Sequence, residues 1–277
     1  MRLTRWRRDG SLFRMTERAL HDVKQAYPGT QAVVRAVRLL KACAGRPAPR
    51  LGDLCRSQRL HKTTAYRLLS ALESEGLLER TDDDAYRLGP EMVALGSQAL
   101  GAPQLREAAR RELDRLAEAT RETATLEVLA GDDVLILDEA MGGRVVGTVP
   151  SLGTRWPAHA TSTGKVLLAY RSNGHTPARA LPGFTPRTIV DPAALARELA
   201  RVRRRGYAVS AEELEPGFVA VGAPVHAADG TVVAAISVGG PRTRLTAGRI
   251  TEGARLVRGA AERISRALGY RSGVEEG

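Results

Sequence analysis

The chain has 277 residues, of which 43% are hydrophobic, 4% aromatic and 26% charged, and its net charge is +11. This length predicts two domains rather than one, and the hydrophobic fraction is sufficient for a buried core. No stretch approaches the roughly 18–20 apolar residues that a membrane-spanning helix needs, which argues against a helical membrane protein.

The positive charge is concentrated at the amino end. Residues 1–70 contain 16 Lys and Arg against 4 Asp and Glu, a balance of +12, whereas residues 71–277 contain 26 against 27, a balance of −1. Localised positive charge attracts a polyanion, either nucleic acid or an anionic membrane surface. A generally arginine-rich composition is the simpler explanation, but the remaining three quarters of the chain neutralise their arginines.

Residues 1–29 are basic and interrupted by glycine and proline, and we expect them to form a flexible arm. Met15 is an alternative translation start, which would remove residues 1–14. No apolar core follows the basic residues, which argues against a secretory signal.

Cys43 and Cys55 lie beside leucines in helical patterns and are predicted to be buried thiols. A cytoplasmic protein is expected.

Residues 30–91 predict a winged helix-turn-helix. Apolar residues at the start of this segment follow a helical period, and a second, short helix is predicted over Leu51–Ser57. After a tight turn, a third helix lies within LHKTTAYRLLSALESEGLLER, residues 60–80, and ends at Gly76. Two extended runs around the acidic turn Thr81–Ala85 predict a β-hairpin. Three helices followed by a hairpin are typical of this fold.

The third helix has two chemically different faces. Apolar residues spaced i, i+3, i+4 and i+7 from Ala65 to Leu72 predict one buried stripe. The first two turns carry polar and cationic side chains, which in a helix-turn-helix reach base edges and phosphates in the major groove. An arginine in the preceding turn and one in the hairpin complete the predicted DNA-binding set. These residues are Arg59, Lys62, Thr63, Thr64, Tyr66, Arg67 and Arg87.

A solvated helix face is the simpler interpretation of such a polar run. Here the run coincides with the segment of +12 charge, follows a tight turn and precedes a hairpin. This combination favours DNA binding.

Residues 92–103 predict a linker helix, and residues 104–273 are the predicted second domain. A helical pattern continues to residue 119 and either joins the domains or serves in dimerisation. Six strand-like runs, the third over residues 144–150, and three helices then follow in the order β-β-β-α-α-β-β-β-α, with a hairpin turn at Asp229–Gly230. This order predicts an α+β domain with an antiparallel sheet and helices packed on it.

Seven ordered blocks of the sequence are similar to those of a known protein family. They are AVVRAVRLLKA, LHKTTAYRLLSALESEGLLER, YRLGPEMVALG, PAHATSTGKVLLA, TPRTIVDPAALARELARVRRRGYAVS, EELEPGFVAVGAPV and VVAAISVGGPRTRLT. Over residues 30–270 the chain resembles the IclR-type bacterial transcriptional regulators. The resemblance implies an N-terminal winged helix-turn-helix, a linker helix and a C-terminal GAF-like effector-binding domain. It also implies a homodimer or homotetramer on palindromic operators, with a small molecule that alters the affinity for DNA.

The resemblance further implies an effector site between the helix after Thr161 and the last three strands. Carried over by position, the site consists of Ser162, Thr163, Gly164, Ser210, Ala220, Ser237 and Gly239. The start of this helix would hold a carboxylate through backbone N–H groups. Relatives that bind small keto acids tend to have an acidic residue, a cysteine and a second serine where this chain has Ser210, Ala220 and Gly239. Because fixed polar groups determine which ligand is accepted, an aromatic acid or a lactone is at least as well favoured here.

The other motifs do not support catalysis or cofactor binding. TSTGK, residues 161–165, is similar to the end of a phosphate-binding loop but lacks its first glycine and the hydroxyl after Lys165. The five histidines have no pair at metal-ligand spacing and no neighbouring cysteine. No Gly-x-Ser-x-Gly elbow is present. We therefore expect no catalytic residue, no metal and no cofactor.

The sequence predicts a DNA-binding transcriptional regulator, with repression as the expected action. Its expected partners are operator DNA, a small-molecule effector such as an organic acid or aromatic compound, and further copies of itself. Two other classes stay open at this point. The second domain could be an enzyme that modifies a small molecule, although no cysteine follows Cys55 and no triad is recognisable. The arm could bind a membrane surface, although no membrane association is expected.

Overall fold

The computed structural model describes residues 30–44, 47–98, 102–143, 152–171 and 181–271. The chain divides into two compact units, residues 1–100 and residues 101–277, and each is described by itself. The arm predicted for residues 1–29 and the strand predicted over residues 144–150 lie outside the described residues.

The described part of the N-terminal unit contains helices and a small hairpin. The helices are α1 (Gln31–Ala42), α2 (Leu51–Gln58), α3 (Lys62–Ser74) and α4 (Glu91–Gln98), and the strands are β1 (Leu78–Arg80) and β2 (Tyr86–Leu88). β1 and β2 pair antiparallel, and a bridge between Arg50 and Ala85 attaches the segment before α2 to this hairpin. The hairpin therefore forms a wing beside the three helices.

Helices α1, α2 and α3 pack around one apolar core. Leu39, Leu54 and Leu69 contribute to it from the three helices, and Tyr86 closes it from the hairpin. The turn between α2 and α3 is short because Arg59, directly after α2, adopts a left-handed conformation with φ of 51°. The short turn and the shared core fix α3 against α2 as in a winged helix-turn-helix.

The C-terminal unit is built on an antiparallel sheet. Its described strands are β3 (Thr123–Ala130), β4 (Asp133–Ala140), β5 (Arg155–Pro157), β6 (Ala208–Ala211), β7 (Phe218–His226) and β8 (Val232–Pro241). They lie side by side in the order β5-β4-β3-β8-β7-β6. The pairing of β3 with β8 brings the first and the last strand of this unit together in the middle of the sheet.

Helices cover both faces of the sheet. α5 (Ala102–Thr120) and α8 (Ala247–Ala267) pack on one face over a core of leucine, isoleucine, valine and alanine. α6 (Ser162–Ala169), which follows a 3₁₀ turn over Ala158–Ala160, and α7 (Pro192–Arg205) pack on the other face. Polar side chains on the second face are therefore buried beneath α6 instead of facing water.

The predicted fold class is confirmed: an N-terminal winged helix-turn-helix precedes an α+β unit with an antiparallel sheet. The predicted linker helix over residues 92–103 coincides with α4 and the beginning of α5, and residues 99–101 between them lie outside the described part. The domain limits expected from the sequence stay predictions. No helix in the described ranges is long and apolar enough to cross a membrane.

The two cysteines differ in burial. Cys43 is buried in the core of the N-terminal unit, and this burial raises the pKa of its thiol to about 11. Cys55 is only half-buried, so the prediction of two buried thiols is wrong for this residue. The reason is its place on α2, where it follows the fully buried Leu54 and lies beside the face that packs on the core.

Candidate functional site

The buried face of α3 anchors it in the N-terminal unit. Ala65 and Leu69 have no exposed surface, and Leu72 packs with them, which confirms the predicted apolar stripe. Because this face is fully occupied, only the opposite face of α3 is free to contact another molecule.

The opposite face of the first two turns is open to solvent. Lys62, Thr63, Tyr66 and Arg67 are exposed, and Thr64 is half-buried. Within the described ranges neither Lys62 nor Arg67 has an ion-pair partner, and the acidic residues of α3 lie in and just after its last turn. The two cations are therefore available to an anionic partner.

The start of α3 adds a second source of positive potential. His61 precedes the helix and makes no side-chain hydrogen bond to it, and the first turn contains no acidic residue. Uncapped N–H groups at a helix start, together with the helix dipole, favour a phosphate group. The geometry of α3 thus matches the requirements of a helix that contacts nucleic acid.

The two outlying arginines of the predicted set differ from the residues on α3. Arg59 is exposed in the turn directly before α3. Arg87 forms an ion pair with Glu79 across the wing, with 2.7 Å between Nη2 and Oε2. A phosphate contact by Arg87 would have to compete with Glu79, so its predicted role in binding DNA is weakened by this pairing.

The structure brings the predicted effector-site residues together. Ser210, Ala220 and Gly239 are adjacent across β6, β7 and β8, and Ser237 pairs with Gly222 two residues further along the strands, on the same face. The start of α6 lies directly on this surface, because a Cβ atom on Gly222 would be 3.1 Å from the backbone nitrogen of Thr163. Residues distant in sequence therefore form one site beneath α6.

Several groups of this site already have partners within the fold. The Ser210 hydroxyl donates to the Ala160 carbonyl at 2.8 Å, and the Gly164 N–H donates to Thr161 Oγ1 at 3.1 Å. Thr161 Oγ1 therefore caps α6, and the Gly164 N–H is already bonded within the fold. That backbone N–H groups at the start of α6 hold an effector carboxylate stays a prediction. Gly239 is covered by the Phe218 ring, which a Cβ atom on Gly239 would approach to 2.7 Å.

Glu127, on β3 beneath the start of α6, was not predicted from the sequence as part of this site. Its two carboxylate oxygens accept hydrogen bonds from Thr163 Oγ1 at 2.5 Å and Thr125 Oγ1 at 2.7 Å. Thr125 is in turn 2.8 Å from the Ser237 hydroxyl. Burial raises the pKa of Glu127, and the two hydroxyl donors oppose this effect. Alternating polar residues on β3 were the available signal, and alternation by itself predicts a face of the sheet that is exposed to solvent.

A buried ion pair holds α6 to the segment after β6. Lys165 Nζ is 2.6 Å from Glu213 Oε1 and donates to the Val209 carbonyl at 2.5 Å. Burial lowers the pKa of Lys165, while the neighbouring Glu213 carboxylate opposes this shift. The second oxygen of Glu213, Oε2, is buried without a hydrogen-bond partner in the described structure. Lys165 therefore serves the fold and is not placed like the lysine of a phosphate-binding loop.

No metal site is evident in the part of the chain that the structure describes. It contains no group of three or more His, Cys, Asp or Glu residues that could hold an ion. His159 lies near the start of α6, where its Nε2 is 2.9 Å from the Pro182 carbonyl oxygen and burial lowers its pKa.

We predict that Glu127→Gln raises the melting temperature at about pH 7.5, because the amide brings no charge into the buried site. The free energy of unfolding should increase by about 1–2 kcal/mol. The pKa of Glu127 in the folded protein lies above its ordinary value of 4.5, so the ionised carboxylate destabilises the fold only at higher pH. The difference between variant and wild type should therefore vanish at about pH 4 in thermal unfolding followed by circular dichroism.

The control for this prediction is Glu118→Gln, which makes the same chemical change at an exposed position on α5. It should leave the melting temperature almost unchanged at both pH values. An equal gain for Glu127→Gln at both pH values would show that burial of its charge is not the cause.

We further predict that Lys165→Met destabilises the C-terminal unit by about 3–5 kcal/mol, because Glu213 becomes a buried charge without a partner. Replacing both residues, as Lys165→Met with Glu213→Leu, should recover most of this loss in urea unfolding. As a control, Arg187→Met removes a half-exposed partner of Glu212 at 3.0 Å and should cost less than about 1 kcal/mol. A double variant as unstable as Lys165→Met would contradict the prediction.

Both units match domains of one known protein family. Residues 32–82 match the family described as IclR helix-turn-helix domain, and residues 97–266 match the one described as Bacterial transcriptional regulator IclR C-terminal. The second match by itself covers more than half of the chain.

Individual relatives agree over nearly the whole length. The HTH-type transcriptional regulator BhcR of Paracoccus denitrificans is 33% identical, covering 90% of this chain and 91% of that protein. The Glycerol operon regulatory protein of Streptomyces coelicolor is 35% identical, covering 86% of this chain and 96% of that protein.

A solved structure extends the agreement to three dimensions. An IclR homolog from Microbacterium hydrocarbonoxydans, complexed with 4-hydroxybenzoate, is 29% identical and has a TM-score of 0.73, covering 86% of this chain and 98% of that one. The relatives are named regulators, which supports a regulator over an enzyme. The chain belongs to the IclR family of bacterial transcriptional regulators, with an N-terminal helix-turn-helix DNA-binding domain and a C-terminal effector-binding domain.

Proposed function

We propose that this regulator is a cytoplasmic repressor that binds its operator as a homodimer or homotetramer and responds to a small-molecule effector. The observation that carries the DNA-binding part is the exposure of Lys62 and Arg67 on α3, opposite a buried helix face. Neither cation has an ion-pair partner among the described residues. Base edges and phosphates in the major groove are the partners that such side chains recognise.

The proposed contacts divide into two kinds. Lys62 lies in the first turn of α3, next to the open N–H groups, and favours a phosphate contact. Arg67 lies one turn further along and has the planar guanidinium that binds guanine O6 and N7 with two hydrogen bonds. Thr63, Thr64 and Tyr66 extend the same surface, with hydroxyl groups that donate to phosphates and threonine methyl groups that contact thymine methyl groups.

The proposed response to the effector acts through the spacing of two recognition helices. A dimer reads half-sites that lie about one or more helical turns apart, so a small change in spacing weakens binding strongly. The effector would bind between β6–β8 and the start of α6, at Ser162, Thr163, Ser210, Ala220, Ser237 and Gly239. A shift of α6 on binding would be the first structural consequence. A 4-hydroxybenzoate complex of a relative supports a small organic effector at this domain.

We predict that purified protein prefers its own promoter region over random duplex DNA, measured by fluorescence anisotropy. Arg67→Ala should weaken operator binding by about 1–3 kcal/mol if the guanidinium reads a base, with reduced discrimination between sequences. Lys62→Ala should weaken binding to all sequences, because a phosphate contact carries no sequence information. The slope of the logarithm of the binding constant against the logarithm of the salt concentration should become shallower by about 1.

Matched controls distinguish the loss of these DNA contacts from the loss of one positive charge. Lys41→Ala on α1 and Arg111→Ala on α5 each remove one exposed positive charge outside the proposed surface, and both should retain nearly full operator affinity. Unchanged binding by both α3 variants would show that another element contacts the DNA. Absence of any preference for the promoter region would refute the proposed function itself.

A further inference from the structure

The wing of the N-terminal unit has an acidic tip. Asp82, Asp83 and Asp84 follow one another in the turn between β1 and β2, and all three are exposed. Thr81 orders this turn, because its hydroxyl group donates to Asp83 Oδ1 at 2.6 Å and its backbone N–H donates to the Ala85 carbonyl at 2.8 Å. The hydrogen bond from Thr81 lowers the pKa of Asp83. The turn therefore presents its carboxylates to solvent in a defined arrangement.

The arginines around the wing are already paired with its carboxylates. The pairs are Arg50 with Asp83, Arg80 with Asp84 and Arg87 with Glu79, at 3.6, 2.9 and 2.7 Å between nitrogen and oxygen. Asp82 has no ion-pair partner among the described residues. Residues 78–88 contain 2 Arg against 4 Asp and Glu, a balance of −2. The wing therefore carries net negative charge and offers no unpaired arginine to a phosphate group.

The wing lies beside α3 within the N-terminal unit. Tyr86, on β2, and Leu69, on α3, belong to the same apolar core. Burial raises the pKa of Tyr86, and the Asp84 carboxylate and Tyr66 each add to this rise. The Tyr86 hydroxyl is therefore near both the acidic tip of the wing and the exposed face of α3. A duplex that binds on α3 brings its phosphate groups close to the wing.

The acidic tip opposes a strong general attraction to DNA. Residues 1–70 have a balance of +12, which draws the protein to any duplex irrespective of its sequence. Like charges brought together at an interface cost free energy, and proteins use such repulsion to reject wrong modes of binding. Phosphate groups that approach the wing meet repulsion of this kind.

We propose that Asp82, Asp83 and Asp84 determine the selectivity of DNA binding by repelling phosphate groups from the wing. A duplex bound without sequence recognition adopts many orientations on the unit, and the aspartates penalise those in which the wing meets the DNA backbone. In the operator complex the base contacts of α3 fix one orientation, so the penalty is smaller. This inference rests on the proposed function, since it assumes that α3 contacts operator DNA.

The test removes the charge of the tip and keeps its shape. The main variant combines Asp82→Asn, Asp83→Asn and Asp84→Asn in the full-length protein. Asparagine still accepts from the Thr81 hydroxyl, and it tolerates the left-handed backbone of residue 84, where φ is 62°. A second variant, Asp82→Asn by itself, changes only the aspartate without an ion pair among the described residues. Circular dichroism confirms that each variant is folded.

Two controls separate the position of the charge from its amount and from side-chain shape. The first combines Glu107→Gln, Glu118→Gln and Glu252→Gln, which remove three exposed carboxylates of the C-terminal unit. The second combines Asp82→Glu and Asp83→Glu, which keep the negative charge of the wing. Fluorescence anisotropy measures the affinity of every protein for its own promoter region and for random duplex, between about 0.05 M and about 0.2 M salt.

We expect the triple asparagine variant to bind random duplex about 10-fold more tightly than wild type at the lowest salt concentration, and the promoter region at most about 3-fold more tightly. The gain should shrink as the salt concentration rises, because salt screens the repulsion between exposed charges. Asp82→Asn by itself should give a smaller gain in the same direction, and both controls should bind like wild type.

Three results would overturn the proposal. Weaker binding of the promoter region by the triple asparagine variant would show that the aspartates contact the operator. An equal gain for the promoter region and for random duplex would show that they do not affect selectivity. Unchanged binding of random duplex by both asparagine variants, or an equal gain in the glutamine control, would show that the charge at the wing has no special effect.

The wild-type protein separates this proposal from the proposed function. Should wild type show no preference for the promoter region while the triple asparagine variant gains affinity for random duplex, the proposed function fails and the repulsion by the wing stands. Should wild type prefer the promoter region and the variant keep both wild-type affinities, the regulator stands and the role of the wing fails.

Discussion

The position of α6 against the sheet depends on backbone contacts that only glycine permits. A Cβ atom on Gly164 would overlap the backbone of Ala158, and one on Gly222 would press on the start of α6 at Thr163. Because both side chains are absent, the polar beginning of α6 lies directly on β7. This close approach buries the Thr163 hydroxyl beside Glu127 and converts a row of polar strand residues into an enclosed site.

The ion pair of Lys165 and Glu213 secures the same arrangement from the other side of α6. Its two charges are removed from water and bonded to each other at 2.6 Å, with the Val209 carbonyl as a further acceptor. Such a pair adds little net stability, but it penalises any position of α6 in which the two charges separate. A helix held by a close backbone contact and a buried ion pair has few alternative positions.

The two units use charge in opposite ways. On α3 the cations Lys62 and Arg67 are exposed and have no ion-pair partner in the described structure, so their field extends into solvent. In the described part of the C-terminal unit the buried carboxylates are matched with arginine or lysine, except Glu127, which accepts hydrogen bonds from two threonine hydroxyl groups. One unit therefore offers exposed positive charge to a polyanion, and the other bonds its buried carboxylates within the fold.

The sequence by itself determined the helices of the N-terminal unit, the order of most strands and helices along the C-terminal unit, and the polar face of α3. These features depend on local periodicity, on glycine positions such as Gly76 and on the count of charges, all of which are visible along the chain. The family resemblance added the list of effector-site positions, and the structure brings Ser210, Ala220 and Gly239 together as that list implies. Only the tertiary structure decided that Thr161 caps α6 by accepting from the Gly164 N–H, that Arg87 pairs with Glu79, and that Glu127 is buried without a cation among the described residues. The alternation of β3 cannot distinguish a polar face in water from a polar face under a helix, because burial depends on what packs above the strand, and here that is α6, more than thirty residues away in sequence.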